Sequence, residues 1–215
     1  MKKAFGIAAF VLLLGLVVYG VGKLPAETVS AAAATQTAAV ESAALSDGKT
    51  LVVYFSRSGE NWNVGTVEKG STQLAAEYIA AQLGADLYRI EPTTPYPDNY
   101  MEMLGVASEE QKADVRPEIK NAVDNWKQYD TVYLGYPIWD GDMPMIVYSF
   151  LESYDFAGKT VYPFDTHAGS GLAGTVHTIR EKAQGADVKE GLALSGETVQ
   201  KNFDKAAKSI EEWLD

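Results

Sequence analysis

The sequence contains no cysteine among its 215 residues. A chain without cysteine forms no disulfide, attaches no lipid through a thiol and holds no zinc or iron–sulfur cluster through thiolates. Histidine is also scarce, with only His167 and His177. We therefore expect neither thiol chemistry nor a metal centre in this protein.

Basic residues are outnumbered, because 18 Lys and Arg stand against 29 Asp and Glu and give a net charge of −11. An acidic surface is repelled by a phosphate backbone, so nucleic acid is not expected as a partner. The same surface would attract a basic redox partner, and it would also keep a small domain soluble. The charge alone does not distinguish these two roles.

Charged residues are absent from Ala4 to Gly22, a run that follows Lys2 and Lys3. As a helix this run would be about 28 Å long, close to the thickness of a bilayer core. We expect residues 1–26 to be a signal peptide or an N-terminal membrane anchor, with cleavage and retention both open. The lysines favour an extracytoplasmic position for the remainder, either anchored or secreted. Residues 27–49, rich in Ala, Thr and Ser, predict a flexible linker.

Residues 50–215 alternate between apolar strand patterns and helical patterns. Strands are predicted at residues 51–55, 86–91, 131–136, 160–164 and 188–195. Helices are predicted at residues 71–83, 98–114, after Pro144 and at 203–214, and Pro117 would be tolerated at the start of another helix over 117–127. This alternation predicts one α/β domain with a doubly wound, five-stranded parallel sheet.

Three loops follow the first, third and fourth predicted strands: residues 56–59, 136–141 and 166–171. Parallel neighbouring strands end at the same edge, where open α/β sheets bind ligands, so we expect the loops to converge there. One loop is rich in hydroxyl groups, one carries an aromatic residue and one is rich in glycine. This combination suits a phosphorylated planar ring and points to flavin mononucleotide (FMN).

Hydroxyl groups are concentrated where the first strand ends and the first helix begins, at Ser56, Ser58, Ser71 and Thr72. A helix N-terminus offers unsatisfied N–H groups and a partial positive charge, so it can bind a phosphate without a cluster of lysines. The alternative is that Ser71 or Thr72 only caps the helix.

The other two loops carry a large aromatic residue and a glycine-rich turn. Trp139 lies in a loop where exposure would be costly, and a ring stacked on it would explain its place. The alternative is that Trp139 folds back into the core. Gly169 and Gly171 permit a close approach of the backbone to a ligand, and His167 alone does not form an acid–base constellation, so no catalytic residue is predicted.

Together these segments resemble the flavodoxin family, particularly its flavodoxin-like bacterial branch with Tyr-Pro-Ile-Trp and Thr-His-x-Gly-Ser-Gly loops. Here the pattern is carried by Tyr136–Trp139, Met143-Pro144 and Thr166–Gly171, and the match runs from about Leu51 to Leu214. The resemblance implies a sheet of strand order 2-1-3-4-5 with helices on both faces, and FMN as the cofactor.

The resemblance also implies a role for each loop. The phosphate would be held by Ser56, Ser58, Ser71 and Thr72, with Arg57 contributing through its backbone. One side of the flavin ring would be lined by Pro137, Ile138, Trp139, Asp140 and Gly141, with Trp139 nearest the ring. The other side would be lined by Thr166, His167, Gly169, Ser170 and Gly171.

Two departures from the family pattern stand out. Residues 59–69 interrupt the phosphate loop, and their Trp62 would cover the flavin or meet a partner. Asp140 and Asp142 occupy positions where the branch has bulkier or neutral residues. A carboxylate near the ring would disfavour the anionic reduced flavin and lower its reduction potential.

The expected function is electron transfer by an FMN-binding flavoprotein outside the cytoplasm, acting as a monomer with a redox protein or a small acceptor. One alternative is an FMN-dependent NAD(P)H:quinone-type reductase, which would need an open flavin face and a nicotinamide site. Another is a flavin-free binding module tethered to the cell surface.

Overall fold

The computed structural model describes residues 48–215. The predicted signal peptide or anchor over residues 1–26, and the predicted linker up to residue 47, lie outside the described residues. Among residues 48–215 no helix has both the length and the apolar character needed to cross a membrane. The first strand begins at Lys49, one residue before the predicted start of the domain.

The described part of the chain alternates between strands and helices, as the sequence predicts. Its strands are β1 (Lys49–Tyr54), β2 (Gly59–Asn61), β3 (Gly65–Val67), β4 (Asp86–Arg89), β5 (Tyr129–Pro137), β6 (Thr160–His167), β7 (Asp187–Val188) and β8 (Leu192–Ser195). Its α-helices are α1 (Ser71–Leu83), α2 (Tyr100–Lys112), α3 (Met145–Ser153), α4 (Thr175–Lys182), α5 (Gly196–Lys201) and α6 (Phe203–Leu214).

The main sheet is parallel and has the order β4-β1-β5-β6-β7, with β8 also paired to β6. This is the predicted 2-1-3-4-5 order, but the sheet has six strands rather than five. The predicted last strand is divided by residues 189–191 into β7 and β8. At Gly191 a Cβ atom would lie 2.7 Å from the side chain of Leu172, so a larger residue here would require that side chain to move.

Helices cover both faces of the sheet, which confirms the doubly wound architecture. On one face Val52, Tyr54 and Phe164 pack against α1 and α6. On the other face Val53 and Leu134 pack against α2, α3 and α4. Burial of these apolar side chains is the main stabilising contribution to the domain, and it fixes the carboxyl ends of β1, β5, β6 and β8 at one edge.

The first helix spans the predicted residues, and Gly84 ends it with the left-handed φ of 59°. The predicted helix over 117–127 is wrong. The chain there forms an antiparallel bridge between Pro92 and Ile119, and a short 3-10 helix over Trp126–Gln128 follows it. The N–H of Lys120 donates to the carbonyl of Glu91, so backbone groups that a helix would use are bonded across to the segment after β4.

Candidate functional site

A cleft of about 260 Å³ opens at the carboxyl edge of the sheet. Its walls come from the ends of β1, β5, β6 and β8 and from the β2–β3 hairpin. It brings together most of the predicted site residues: Ser56, Arg57, Ser71, Thr72, Pro137, Ile138, Trp139, Asp140, Thr166, His167 and Gly169. The predicted residues that do not line it are Ser58, Gly141, Ser170 and Gly171, which lie in the same loops.

One end of the cleft is the N-terminus of α1. Gly70 is the N-cap residue and has no side chain to cap the helix, so the alternative in which Ser71 or Thr72 is only an N-cap is wrong. Ser56 reaches in from the end of β1, and its Oγ accepts the N–H of Gln73 at 3.2 Å. Within residues 48–215 the N–H groups of Ser71 and Thr72, which line the cleft, donate to no acceptor. Two first-turn donors therefore remain for an anion.

Gly70 is required by a close approach between the two halves of this end. A Cβ atom on Gly70 would lie 2.3 Å from Ser56 Oγ and 2.3 Å from the carbonyl oxygen of Arg57. Such distances are shorter than real Cβ contacts, so any larger residue would push α1 away from the end of β1. The two hydroxyl-rich segments, which residues 59–69 separate in the sequence, are thus adjacent in the structure and form one cradle.

A buried pair of hydroxyl groups forms the base of the cleft. Thr72 Oγ1 on α1 and Thr166 Oγ1 on β6 lie 2.7 Å apart. Ser71 Oγ donates to the carbonyl of Gly196 at 3.2 Å. These bonds tie the start of α1 to the ends of β6 and β8.

A tight turn over Trp139–Asp142 forms the second wall. Trp139 and Asp142 exchange backbone hydrogen bonds of 2.8 and 3.1 Å. Asp140 and Gly141 both have positive φ, 49° and 83°, the geometry of a type I′ turn. The carboxylate of Asp142 accepts from the N–H of Met143 and from the hydroxyl of Tyr148, each at 2.7 Å. It therefore links the turn to the start of α3. Asp140 is the exposed carboxylate of this wall.

The third wall follows β6 and contains His167. The N–H of Gly169 donates to His167 Nδ1 at 2.9 Å, so the neutral imidazole carries its proton on Nε2. Partial burial lowers the pKa of His167 below its ordinary value. The ring is consequently neutral at pH 7 and presents one N–H donor.

The family of this chain follows from its match to a model described as flavodoxin, which covers residues 49–210. The chain belongs to the flavodoxin family. A provisionally assigned flavoprotein from Bacteroides eggerthii is 33% identical and has a TM-score of 0.60, with 79% of this chain and 97% of that chain covered. A second such protein, from Bacteroides uniformis, is 30% identical with a TM-score of 0.58, and 73% and 98% of the two chains are covered.

A more distant structure has the same fold. It is a flavoprotein from Lactobacillus acidophilus in complex with FMN, 24% identical with a TM-score of 0.53, and 72% of this chain and 97% of that chain are covered. No curated protein matches this sequence.

Trp139 lines the cleft, and its expected place nearest the ring stays a prediction. The sequence left open whether this side chain stacks on a ligand or enters the core, and the structure buries it, with 7% of its surface exposed. Its ring packs edge-on against Phe55 at 5.3 Å and Tyr96 at 5.0 Å between centroids. Trp139 therefore meets the cleft with only a small exposed part of its side chain.

Several residues of the cleft were missed by sequence reasoning: Asn61, Asn63, Val64, Tyr100, Met103, Leu104, Ser195, Gly196 and Glu197. Of these, Ser195 ends β8, and Gly196 and Glu197 follow it at the same sheet edge as the predicted loops. Ser195 caps α5, because its Oγ accepts the N–H of Thr198 at 3.3 Å. The available signal was a hydroxyl at the end of the last predicted strand and a glycine directly after it.

Asp165 is a further buried group next to the cleft. It precedes Thr166 on β6, is fully buried, and neither carboxyl oxygen has a hydrogen-bond partner among residues 48–215. Burial raises the pKa of Asp165 to about 8. The carboxyl is therefore largely neutral at pH 7.

Proposed function

We propose that this member of the flavodoxin family binds FMN in the cleft and transfers electrons through it outside the cytoplasm. The observation that carries the proposal is the N-terminus of α1, which has no side-chain cap at Gly70 and faces the cleft with open N–H groups. A phosphate at this end would place the rest of the molecule along the turn after β5 and the loop after β6.

The residues present fit the phosphate group. The N–H groups of Ser71 and Thr72 would donate to it, and Ser56 would contribute its hydroxyl. The two terminal nitrogens of the Arg57 guanidinium are engaged elsewhere, because they donate to the carbonyls of Pro97 at 3.0 Å and Asp98 at 2.9 Å and to that of Glu60. Its contribution to the phosphate would come from its backbone.

The residues present also fit a planar ring. The type I′ turn at Asp140 and Gly141 would bring a backbone edge to one side of the ring. His167 would donate from Nε2 to a carbonyl oxygen on the other side. The bound flavin supplies one- and two-electron transfer, and the protein supplies binding, orientation and electrostatics.

The proposal rests on the family and on the cleft together. The fold shared with the FMN complex from Lactobacillus acidophilus is consistent with it. Among the cleft residues, the neutral His167 is the one imidazole, and it has no carboxylate partner to form an acid–base pair. Electron transfer, which needs no such pair, is accordingly preferred to a substrate reaction that depends on one.

The experiment is anaerobic reduction of the FMN-loaded, full-length protein. The proposal predicts that dithionite bleaches the flavin absorption band and that a basic redox protein such as cytochrome c reoxidises it. NADH and NADPH should leave the band unchanged over many minutes. Rapid bleaching by either nicotinamide nucleotide would instead identify a reductase, and failure to bind FMN would leave a flavin-free binding module.

The location outside the cytoplasm is a separate part of the proposal and rests on the N-terminal sequence, in which Lys2 and Lys3 precede an uncharged run. Protease treatment of intact cells should degrade the domain if it is held at the outer surface, and recovery from the medium with a shortened mass would indicate cleavage. A domain found only in the cytoplasmic fraction would contradict this part alone.

A further inference from the structure

The exposed tryptophan of the cleft is Trp62, at the tip of the β2–β3 hairpin. It has 58% of its surface exposed and lines the cleft. Its ring lies at a tilt to that of Tyr100 on α2, with the centroids 5.5 Å apart. Trp62 and Tyr100 together offer apolar surface that a ligand in the cleft could cover. The pair Trp62 and Tyr100 is called the aromatic wall below.

The hairpin that carries Trp62 is fastened to the start of α2. The N–H of Glu60 donates to the carbonyl of Asp98 at 2.9 Å, and Arg57 donates to the same carbonyl. The carboxylate of Glu60 accepts from the N–H of Tyr100 at 3.0 Å and from the side chain of Asn99 at 2.9 Å. The two aromatic residues are thus held on one rigid unit.

The tip of the hairpin is fastened on the opposite side as well. Lys201 Nζ on α5 donates to the carbonyl of Asn63 at 3.1 Å and pairs with Glu197 at 2.9 Å. The hairpin therefore spans the cleft from α2 to α5. A ligand that meets the aromatic wall would find it already ordered, so little conformational entropy is lost on contact.

We infer that Trp62, supported by Tyr100, is the aromatic residue that stacks on the flavin ring in this protein, in place of the buried Trp139. The inference rests on the proposed function and deepens it. The indole of Trp139 is enclosed by Phe55 and Tyr96, whereas the indole of Trp62 is exposed at the cleft. Trp62 and Tyr100 line the same cleft as the open N-terminus of α1, so a flavin held there by its phosphate would meet the aromatic wall.

The test measures the affinity of the full-length protein and its Trp62→Ala variant for FMN and for riboflavin, which shares the ring but lacks the phosphate. A ring contact is present with both ligands, so the substitution should weaken both by the same factor, about 3- to 10-fold. Trp62→Phe keeps an aromatic face and should recover most of the affinity. Flavin fluorescence at saturation should be brighter in Trp62→Ala, because the quenching indole is gone.

The matched control is Met101→Ala. Met101 is adjacent to Tyr100 and 66% exposed, but it does not line the cleft. Its removal should change neither affinity nor fluorescence. Thermal unfolding of each variant without flavin should match the unsubstituted protein, since both side chains are mostly in solvent.

The outcomes separate the inference from the proposed function. If the unsubstituted protein binds FMN, and Trp62→Ala binds both flavins as tightly as the unsubstituted protein does, the inference is overturned and the proposed function stands. A loss confined to FMN would place Trp62 at the phosphate end and would also overturn it. If the unsubstituted protein binds neither flavin, the proposed function and the inference fall together.

Discussion

Thr72 and Thr166 share a hydrogen bond of 2.7 Å between their buried hydroxyl groups, and this bond joins the first turn of α1 to the end of β6. The two residues stand 94 positions apart in the chain. The open helix end and the loop that follows β6 are held in fixed relation by this contact. A ligand with an anionic end and a planar end would need that fixed spacing.

The first prediction concerns this pair. Thr72→Val keeps the shape of the side chain but leaves the Thr166 hydroxyl buried without its partner, so the free energy of unfolding should fall by about 1–3 kcal/mol. Adding Thr166→Val removes the orphaned group, and the double variant should be no less stable than Thr72→Val. Urea unfolding of the flavin-free protein measures both, and additive losses would contradict the buried hydrogen bond.

The second prediction concerns Gly70. Gly70→Ala would place a Cβ atom 2.3 Å from Ser56 Oγ and from the Arg57 carbonyl, so the cradle must open. We expect at least a roughly tenfold loss of FMN affinity and a loss of about 1–3 kcal/mol in stability. The control is Gly105→Ala within α2. A Cβ atom at Gly105 would meet no atom within 4 Å outside the backbone of its own helix. It should raise stability by about 0.5–1 kcal/mol, because alanine is the better helix former, and leave FMN affinity unchanged.

The third prediction is a pH dependence that arises from Asp165. Below about pH 4 its carboxyl is protonated in the folded and the unfolded chain and contributes nothing. Between about pH 4 and pH 8 the unfolded chain loses this proton while the folded chain keeps it, because burial raises the folded pKa to about 8. The free energy of unfolding should therefore fall as pH rises through this window, by at most about 6 kcal/mol, and level off above it.

Asp165→Asn isolates this contribution. The variant cannot ionise, so urea unfolding at pH 5 and pH 9 should differ less for it than for the unsubstituted protein, and at pH 9 the variant should be the more stable. Equal pH dependence in the two proteins would show that Asp165 is already ionised in the fold and has a partner.

The fourth prediction concerns the exposed carboxylate of Asp140. Its negative charge beside the ring would disfavour adding electrons, so Asp140→Asn should raise the reduction potential of the bound flavin. A coupling of about 1.4 kcal/mol corresponds to about 60 mV for one electron. Because Asp140 is exposed, the difference should shrink at high salt.

Asp187→Asn provides the control in the same potentiometric titration. Asp187 pairs with Thr160 at the other end of β6, so it lies about 23 Å along the strand from the cleft. The potential should not move in this variant. An unchanged potential in Asp140→Asn would show that this carboxylate does not act on the flavin.

The strands and most of the cleft could be predicted from local patterns in the sequence, whereas the strand order was implied by the resemblance to the flavodoxin family. Apolar strands such as Leu51–Phe55 were read from residue type, and the helix over residues 71–83 from its period and the glycine that ends it. Parallel strands end at one edge, so loops read separately could be placed together.

What escaped the sequence depends on contacts between distant segments. Residues 117–127 lose their predicted helix because the backbone of Lys120 bonds to Glu91. Trp139 is buried because Phe55 and Tyr96 happen to enclose it. In both examples the contacting residues are far apart in the sequence, so a local sequence pattern could not predict the contact.

The same limit applies to Asp165, whose position at the end of an apolar strand gave no sign that both its oxygens would lack partners. The hairpin at residues 59–67 was recognised as an interruption of the phosphate loop. Its fastening to α2 and α5 could be seen only in three dimensions.

The central claim is that the cleft binds FMN with its phosphate at the N-terminus of α1. The most direct test is a calorimetric titration of the full-length protein with FMN and, in parallel, with riboflavin. The account predicts binding of FMN and an affinity for riboflavin at least about 100-fold weaker, because the N–H groups of Ser71 and Thr72 would have no anion to hold. Equal affinities, or no binding of either flavin, would contradict it.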